Sequence, residues 1–251
     1  MGEFDDFSEI DAFEFENDGF ERALEAKSVQ GNLIKAEVRA PEAAKACPGI
    51  ELIGHTIRTL VFSTDLYIIR NSNADAVLAA APFTCQPAIT QALLQVAGRP
   101  VLAGVTGATT SGARSVILAM EAESQGVSAV IANMSATPDL VGDMARIIDI
   151  PVVATVGAFD DMLAAKVEAG ARIINVAAGR NTSQVVAQVR AAYPDIPIIA
   201  TAGPTEETAA AAIAAGADAL SWTPPSSAEL ERETMRRNRE MANAQQHEEL
   251  A

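Results

Sequence analysis

Two short patterns alternate along the chain, and their spacing does most to narrow the folds open to it. The first is a Pro, an apolar run, then small polar residues and Gly: PVLAGVTG from Pro100, PVVATVG from Pro151 and PIIATAG from Pro197. The second sets Gly or Ala ahead of an apolar strand: ADAVLA from Ala74, VSAVIA from Val127, GARIINV from Gly170 and GADALSW from Gly216. Recurrence at this period marks a repeated supersecondary unit, here two βα modules per cycle. With TLVFSTD from Thr59 in front, the strands number eight. Runs that are apolar throughout, rather than alternating with polar residues, belong to a parallel sheet covered on both faces. The segments between them are therefore expected to be helices.

Helix signals agree. In the fourth intervening segment Leu140, Met144, Ile147 and Ile148 recur on one face, while Asp139, Asp143 and Arg146 take the other. Thr137 before Pro138 reads as an N-cap, Asn181 with Gln184 and Ser226 with Glu229 read as capping boxes, and Thr205 precedes Glu206 and Glu207. Gly126, Gly170 and Gly216 fit the left-handed position that ends a helix. The expected fold is a (β/α)₈ TIM barrel, parallel and eight-stranded, over residues 59–242. A doubly wound open sheet uses the same units, but eight regular repeats favour closure. Neither GxGxxG after a first strand nor GxxxxGK[ST] occurs, so nucleotide-binding open sheets lose their usual support.

Three zones lie outside that barrel. Residues 1–25 form an acidic leader holding Phe4, Phe7, Phe13, Phe15 and Phe20, read either as a mobile tail or as a segment docking on a partner. Residues 26–58 are expected to cover the barrel's N-terminal end, and residues 243–251, with His247, to fray. The formal net charge of −15 repels phosphate backbones, so nucleic acid is excluded as a partner. No apolar stretch of about 18 residues lacks a charge or a turn residue, which excludes a membrane span. The acidic start does not resemble an export signal, so the cytoplasm is the expected address. Cys47 and Cys85 read as reduced thiols.

In such a barrel the working groups stand at strand C-termini and in the loops that follow. Those positions are Asp65 after the first strand, Phe83 and Thr84 after the second, residues 106–111 after the third, and Asn133 after the fourth. They continue with Thr155 and Gly157, Asn175 and residues 179–181, residues 201–205 and residues 222–227. The alternating PVVATVG, EAGARIINV, PIIATAGPT and AAGADALSW resemble the aldolase-type and ribulose-phosphate-binding barrels over most of residues 59–227. That resemblance implies an enzyme for a small, often phosphorylated, anionic substrate, and it does not select a reaction.

The chain departs from those relatives in its titratable groups. Schiff-base chemistry uses a Lys at a strand end, whereas Lys27, Lys35 and Lys45 fall ahead of the barrel and Lys166 on a helix. His55 and His247 both lie outside the barrel, so no transition-metal site is expected; Mg²⁺ would have to rest on Asp65 and neutral oxygens. Gly203 supplies half of the usual phosphate grip, while Trp222, Thr223, Pro224 and Pro225 alter the other half because Pro has no N–H. Two other anion sites are open. One is the loop 104–114, with Thr106, Gly107, Thr109 and Thr110, read equally as a flexible lid; the other is Arg180 with Gly179.

Asp65 is either an acid/base or the N-cap of the first helix. Asn133 and Asn175 are placed to orient a carbonyl or enolate oxygen, with Thr201, Gly203 and Thr223 around the substrate, or else to satisfy buried backbone. Three functions follow. The first is a lyase, isomerase or epimerase acting on a small phosphorylated or carboxylated metabolite, as a homo-oligomer. The second is a hydrolase using Asp65 with or without Mg²⁺, and the third a non-catalytic barrel that binds a ligand or partner.

Overall fold

The computed structural model describes residues 38–80, 85–107, 109–203 and 205–249, with side chains to Met241. An antiparallel hairpin of β1 (Ile50–Leu52) and β2 (His55–Ile57) precedes eight parallel strands. These are β3 (Thr59–Phe62), β4 (Ala76–Ala79), β5 (Val101–Gly104), β6 (Ala129–Ala132), β7 (Val152–Val156), β8 (Ile173–Val176), β9 (Ile198–Thr201) and β10 (Ala219–Trp222). They close in chain order, β10 returning to β3 through Leu220 opposite Thr59 and Trp222 opposite Val61. The eight-stranded TIM barrel is thus the fold, and closure rules out the open sheet.

The helices are α1 (Leu66–Arg70), α2 (Pro87–Ala97), α3 (Ala113–Gln125), α4 (Pro138–Ala145), α5 (Asp161–Glu168), α6 (Thr182–Ala192), α7 (Glu206–Ala214) and α8 (Ser227–Glu249). Thr137 caps α4 through the Leu140 N–H, and Thr205 forms a capping box with Thr208 on α7. Ser226 and Glu229 bond each other reciprocally at the start of α8. Asn181 does not cap: no side chain accepts from the first turn of α6, because a 3₁₀ turn, Gly179–Asn181, leads directly into it. Ile147 and Ile148 lie past the end of α4, and Ile147 is exposed whereas Leu140, Met144 and Ile148 are buried. The backbone of 243–249, expected to fray, continues α8. Gly216 needs its missing Cβ twice over: its φ is +106°, and a Cβ there would lie 2.9 Å from Arg190 Cγ.

The barrel interior changes character along its axis. Near the strand N-termini the inward positions on alternate strands are Ala76, Ala129, Ile173 and Ala219, and the room left by three Ala is filled from the hairpin by Ile50, Leu52 and Ile57. Each of those side chains stabilises by about 1.5–3 kcal/mol through burial. The next layer is Leu60, Leu102, Val153 and Ile199. Above it the inward positions become mixed, Asn175 and Ser221 standing with Leu78 and Ile131, and Thr155 and Thr201 following. A short 3₁₀ helix, Glu42–Ala46, packs against α7, and the Glu206 carboxylate accepts from the Glu42 and Ala43 N–H groups at 2.9 Å. Glu206, expected to compete with a phosphate, is engaged there.

Ionic groups at the N-terminal end brace the sheet. Asp75 accepts from the Arg58 and Thr59 N–H groups at 2.9 Å. Arg190 bonds Asp218 at 2.5 Å and donates to the carbonyls of Gly216 and Ile196, while Asp218 accepts from the Ile198 N–H.

Candidate active site

At the C-terminal mouth the mixed layers open into a cavity of about 250 Å³. Its floor is Leu78, Ile131 and Asn175, and its walls include Thr106, Asn133, Thr155, Thr201 and Thr223. The wall residues each come from the end of a different strand or the loop just beyond it, the arrangement that lets a closed barrel converge side chains on one point. The polar groups are linked. Ser221 Oγ donates to Thr201 Oγ1 (3.1 Å), Thr201 Oγ1 to Asn175 Oδ1 (3.4 Å), and Asn175 Nδ2 to Thr155 Oγ1 (3.3 Å). On the opposite wall Thr106 Oγ1 accepts from the Asn133 N–H (2.7 Å), and Asn133 Oδ1 accepts from Ser135. The Asn133 amide protons are bonded to no described residue, so that side chain has donors for a ligand.

A second cavity, of about 460 Å³, adjoins the first at Thr201 and is lined by Gly179, Arg180, Thr182, Ser183, Gly203 and Thr208 among others. Arg180 is exposed and pairs with no described carboxylate, and α6 starts beside it without a side-chain cap. Four residues expected at the site, Gly179, Arg180, Thr201 and Gly203, are thereby brought together. Thr106, Asn133, Asn175 and Thr223 are brought together in the mouth.

Others are not. Gly107 and Thr110 exchange both backbone hydrogen bonds at 3.1 Å, so their N–H groups turn inward and cannot cradle an anion. Thr110 is buried and its hydroxyl accepts from the Cys85 N–H, while Thr109 stands exposed on the turn. Phe83 and Thr84 lie outside the described residues. Asp65 is the N-cap of α1 and is not in the cavity lining. Its Oδ1 accepts from the Tyr67 and Ile68 N–H groups, and its Oδ2 from the Ser227 hydroxyl (2.6 Å) and N–H (3.3 Å). Burial on its own raises the Asp65 pKa, but the Ser227 hydroxyl and the backbone donors outweigh it and hold the carboxyl below the ordinary value. The expected raised-pKa acid/base is therefore a cap with occupied acceptors.

One residue of the site region is missed by reading strand ends. Lys166 lies on α5, yet it is buried and its Nζ donates to the carbonyls of Met134 (2.9 Å) and Thr155 (3.3 Å). The available signal is a Lys three residues after Leu163 on the apolar stripe of a helix. Neither thiol lines the mouth, and burial pushes Cys47 up to about 11 and raises Cys85 as well.

No family model matches the sequence, and no curated protein does. Solved structures do match. A 2,3-dimethylmalate lyase, a PEP mutase/isocitrate lyase superfamily member, aligns with TM-score 0.57 and 15% identity over 81% of this chain and 86% of its own. A phosphonopyruvate hydrolase in complex with oxalate and Mg²⁺ gives 0.57 and 14%, over 73% and 82%. A phosphoenolpyruvate phosphomutase from Streptomyces platensis subsp. rosaceus gives 0.55 and 14%, over 75% and 82%. The likeness is one of fold: the TIM-barrel resemblance holds, and the superfamily named for the lyase neighbour is other than the ribulose-phosphate-binding one.

The Mg²⁺ named for one neighbour finds no matching donor set among the described residues of this mouth. Mg²⁺ takes hard oxygen ligands and is usually held by one or two carboxylates, whereas the polar lining consists of Thr and Asn. Among the described residues no three His, Cys, Asp or Glu stand together as metal ligands, and Asp65 is engaged at two helix ends. No described helix is long and apolar enough to cross a membrane.

Proposed function

We propose that this chain is an enzyme of lyase or isomerase type acting on a small carboxylated or phosphorylated metabolite, with the anionic end at Arg180 and the reacting part in the barrel mouth. The observation that carries it is the junction at Thr201 of an apolar-floored cavity, whose lining carries two amides and four hydroxyls, with a groove holding an Arg that pairs with no described carboxylate at an uncapped helix start. A guanidinium grips carboxylate or phosphate with two parallel N–H donors, and free N–H groups at a helix start favour the same charge. The neighbouring lyase, mutase and hydrolase, one of them with bound oxalate, support the substrate class.

The lining also bears on the reaction. No described residue of the mouth titrates near neutral pH, so the site offers donors for developing negative charge rather than a side-chain base. Asn133 Nδ2 and the hydroxyl–amide relay through Asn175 are suited to hold an enolate or carboxylate oxygen as a bond to the adjacent carbon breaks. Epimerisation, which needs a base on each face, fits less well than cleavage or transfer. The same neutrality favours a second reading, a barrel that binds an anion without turning it over.

The test is a thermal-shift and calorimetric titration with oxalate and inorganic phosphate, on the wild type and Arg180→Gln. Binding raises the melting temperature of the wild type, and Arg180→Gln is expected to weaken it about tenfold. If neither anion binds at millimolar concentration, or if the variant binds as the wild type does, the proposed substrate class is wrong.

A further inference from the structure

A second positive charge, Lys166, stands behind the mouth at the ends of β6 and β7. Lys166 is only 2% exposed, and both its acceptors belong to backbone that carries mouth residues: Met134 follows Asn133 directly, and Thr155 itself lines the cavity. Buried cations are normally paired. At the other end of the barrel Arg190 bonds the carboxylate of Asp218 while it braces carbonyls, but Lys166 forms no ion pair with any described residue. Two carbonyl dipoles offset a whole charge only in part.

We propose that Lys166 is the positioning residue of the mouth, its ammonium fixing the ends of β6 and β7 and supplying the positive charge that an anion bound against Asn133 and Thr155 neutralises. The inference rests on the anion-binding reading above and gives the mouth a cation of its own, in place of a metal. Burial pushes the Lys166 pKa down, with Asp160 acting in the opposite sense.

The experiment compares calorimetric binding of oxalate and of its neutral diamide, oxamide, to the full chain as wild type, Lys166→Met and Lys166→Gln. Gln keeps a donor for the carbonyls while removing the charge. Both variants are expected to bind oxalate about tenfold more weakly and to leave oxamide affinity unchanged. A parallel loss for both ligands would make Lys166 a structural brace and overturn the proposal, as would undiminished oxalate binding. A wild type that binds oxalate no better than oxamide would remove the anion-binding reading itself. Should neither variant fold, the wild type decides: the Lys166 Cε resonance is expected to move on titration with oxalate and to stay still with oxamide, and a resonance indifferent to oxalate refutes the idea.

Discussion

Replacing Asp65 by Ala tests whether this carboxylate works on a substrate or on the fold. The change removes acceptors from four donors, two at the start of α1 and two on Ser227 at the start of α8. Loss of an N-cap costs about 1 kcal/mol, and loss of the charge-assisted bonds to Ser227 about 1.5 kcal/mol. Asp65 is partly exposed, which screens the second contribution. The expected total is about 2 kcal/mol, or a melting temperature lower by about 4–8 °C in a domain of this size. Asp65→Asn keeps an oxygen for α1 but sets an amide against Ser227, so about half of that loss is expected.

Because the folded-state pKa lies below the ordinary one, the stabilisation is present above about pH 4 and is lost as pH falls through the folded value. Urea unfolding at pH 7 and at about pH 3 measures both parts, with the gap between wild type and Ala narrowing in acid. A gap that does not change with pH would show that the charge is irrelevant. An Ala variant that melts like the wild type but no longer binds oxalate would return Asp65 to the active site and refute the assignment as a cap.

Two further substitutions separate the mouth from the base. Asn175→Ala removes the centre of the relay; its hydrogen bonds are long, at 3.3 and 3.4 Å, so stability should change by less than about 1 kcal/mol while calorimetry shows oxalate affinity falling about tenfold. Unaltered affinity would mean that Asn175 serves only its neighbours. Arg190→Met takes the guanidinium donors from Asp218 and from the carbonyls of Gly216, Tyr193, Pro194 and Ile196 at the N-terminal end, and denaturant unfolding should show a loss of about 2–3 kcal/mol with oxalate binding intact. A binding defect in that variant would couple the two ends of the barrel and contradict their separation.

The barrel was legible because its determinants are local and repeated. A Pro or Gly before an all-apolar run, and a cap before an amphipathic one, specify strand and helix within a few residues, and eight such units have one closed parallel arrangement. Strand ends then name the mouth, which is why Asn133, Asn175, Thr106, Thr201 and Thr223 could be read in advance. Contacts between segments remote in sequence were not legible. Asp65 meets Ser227 across 162 positions, and only the folded chain shows that its second oxygen is occupied. Gly107 and Thr110 have the composition of an anion loop, but their N–H groups close on each other. Lys166 is on a helix by sequence and at the end of β7 by position, because a long side chain reaches across the layer that α5 forms on the barrel. Local periodicity determined the scaffold; the third dimension decided which polar groups were already satisfied and which remained free to bind, since hydrogen bonding is settled by proximity in space rather than along the chain.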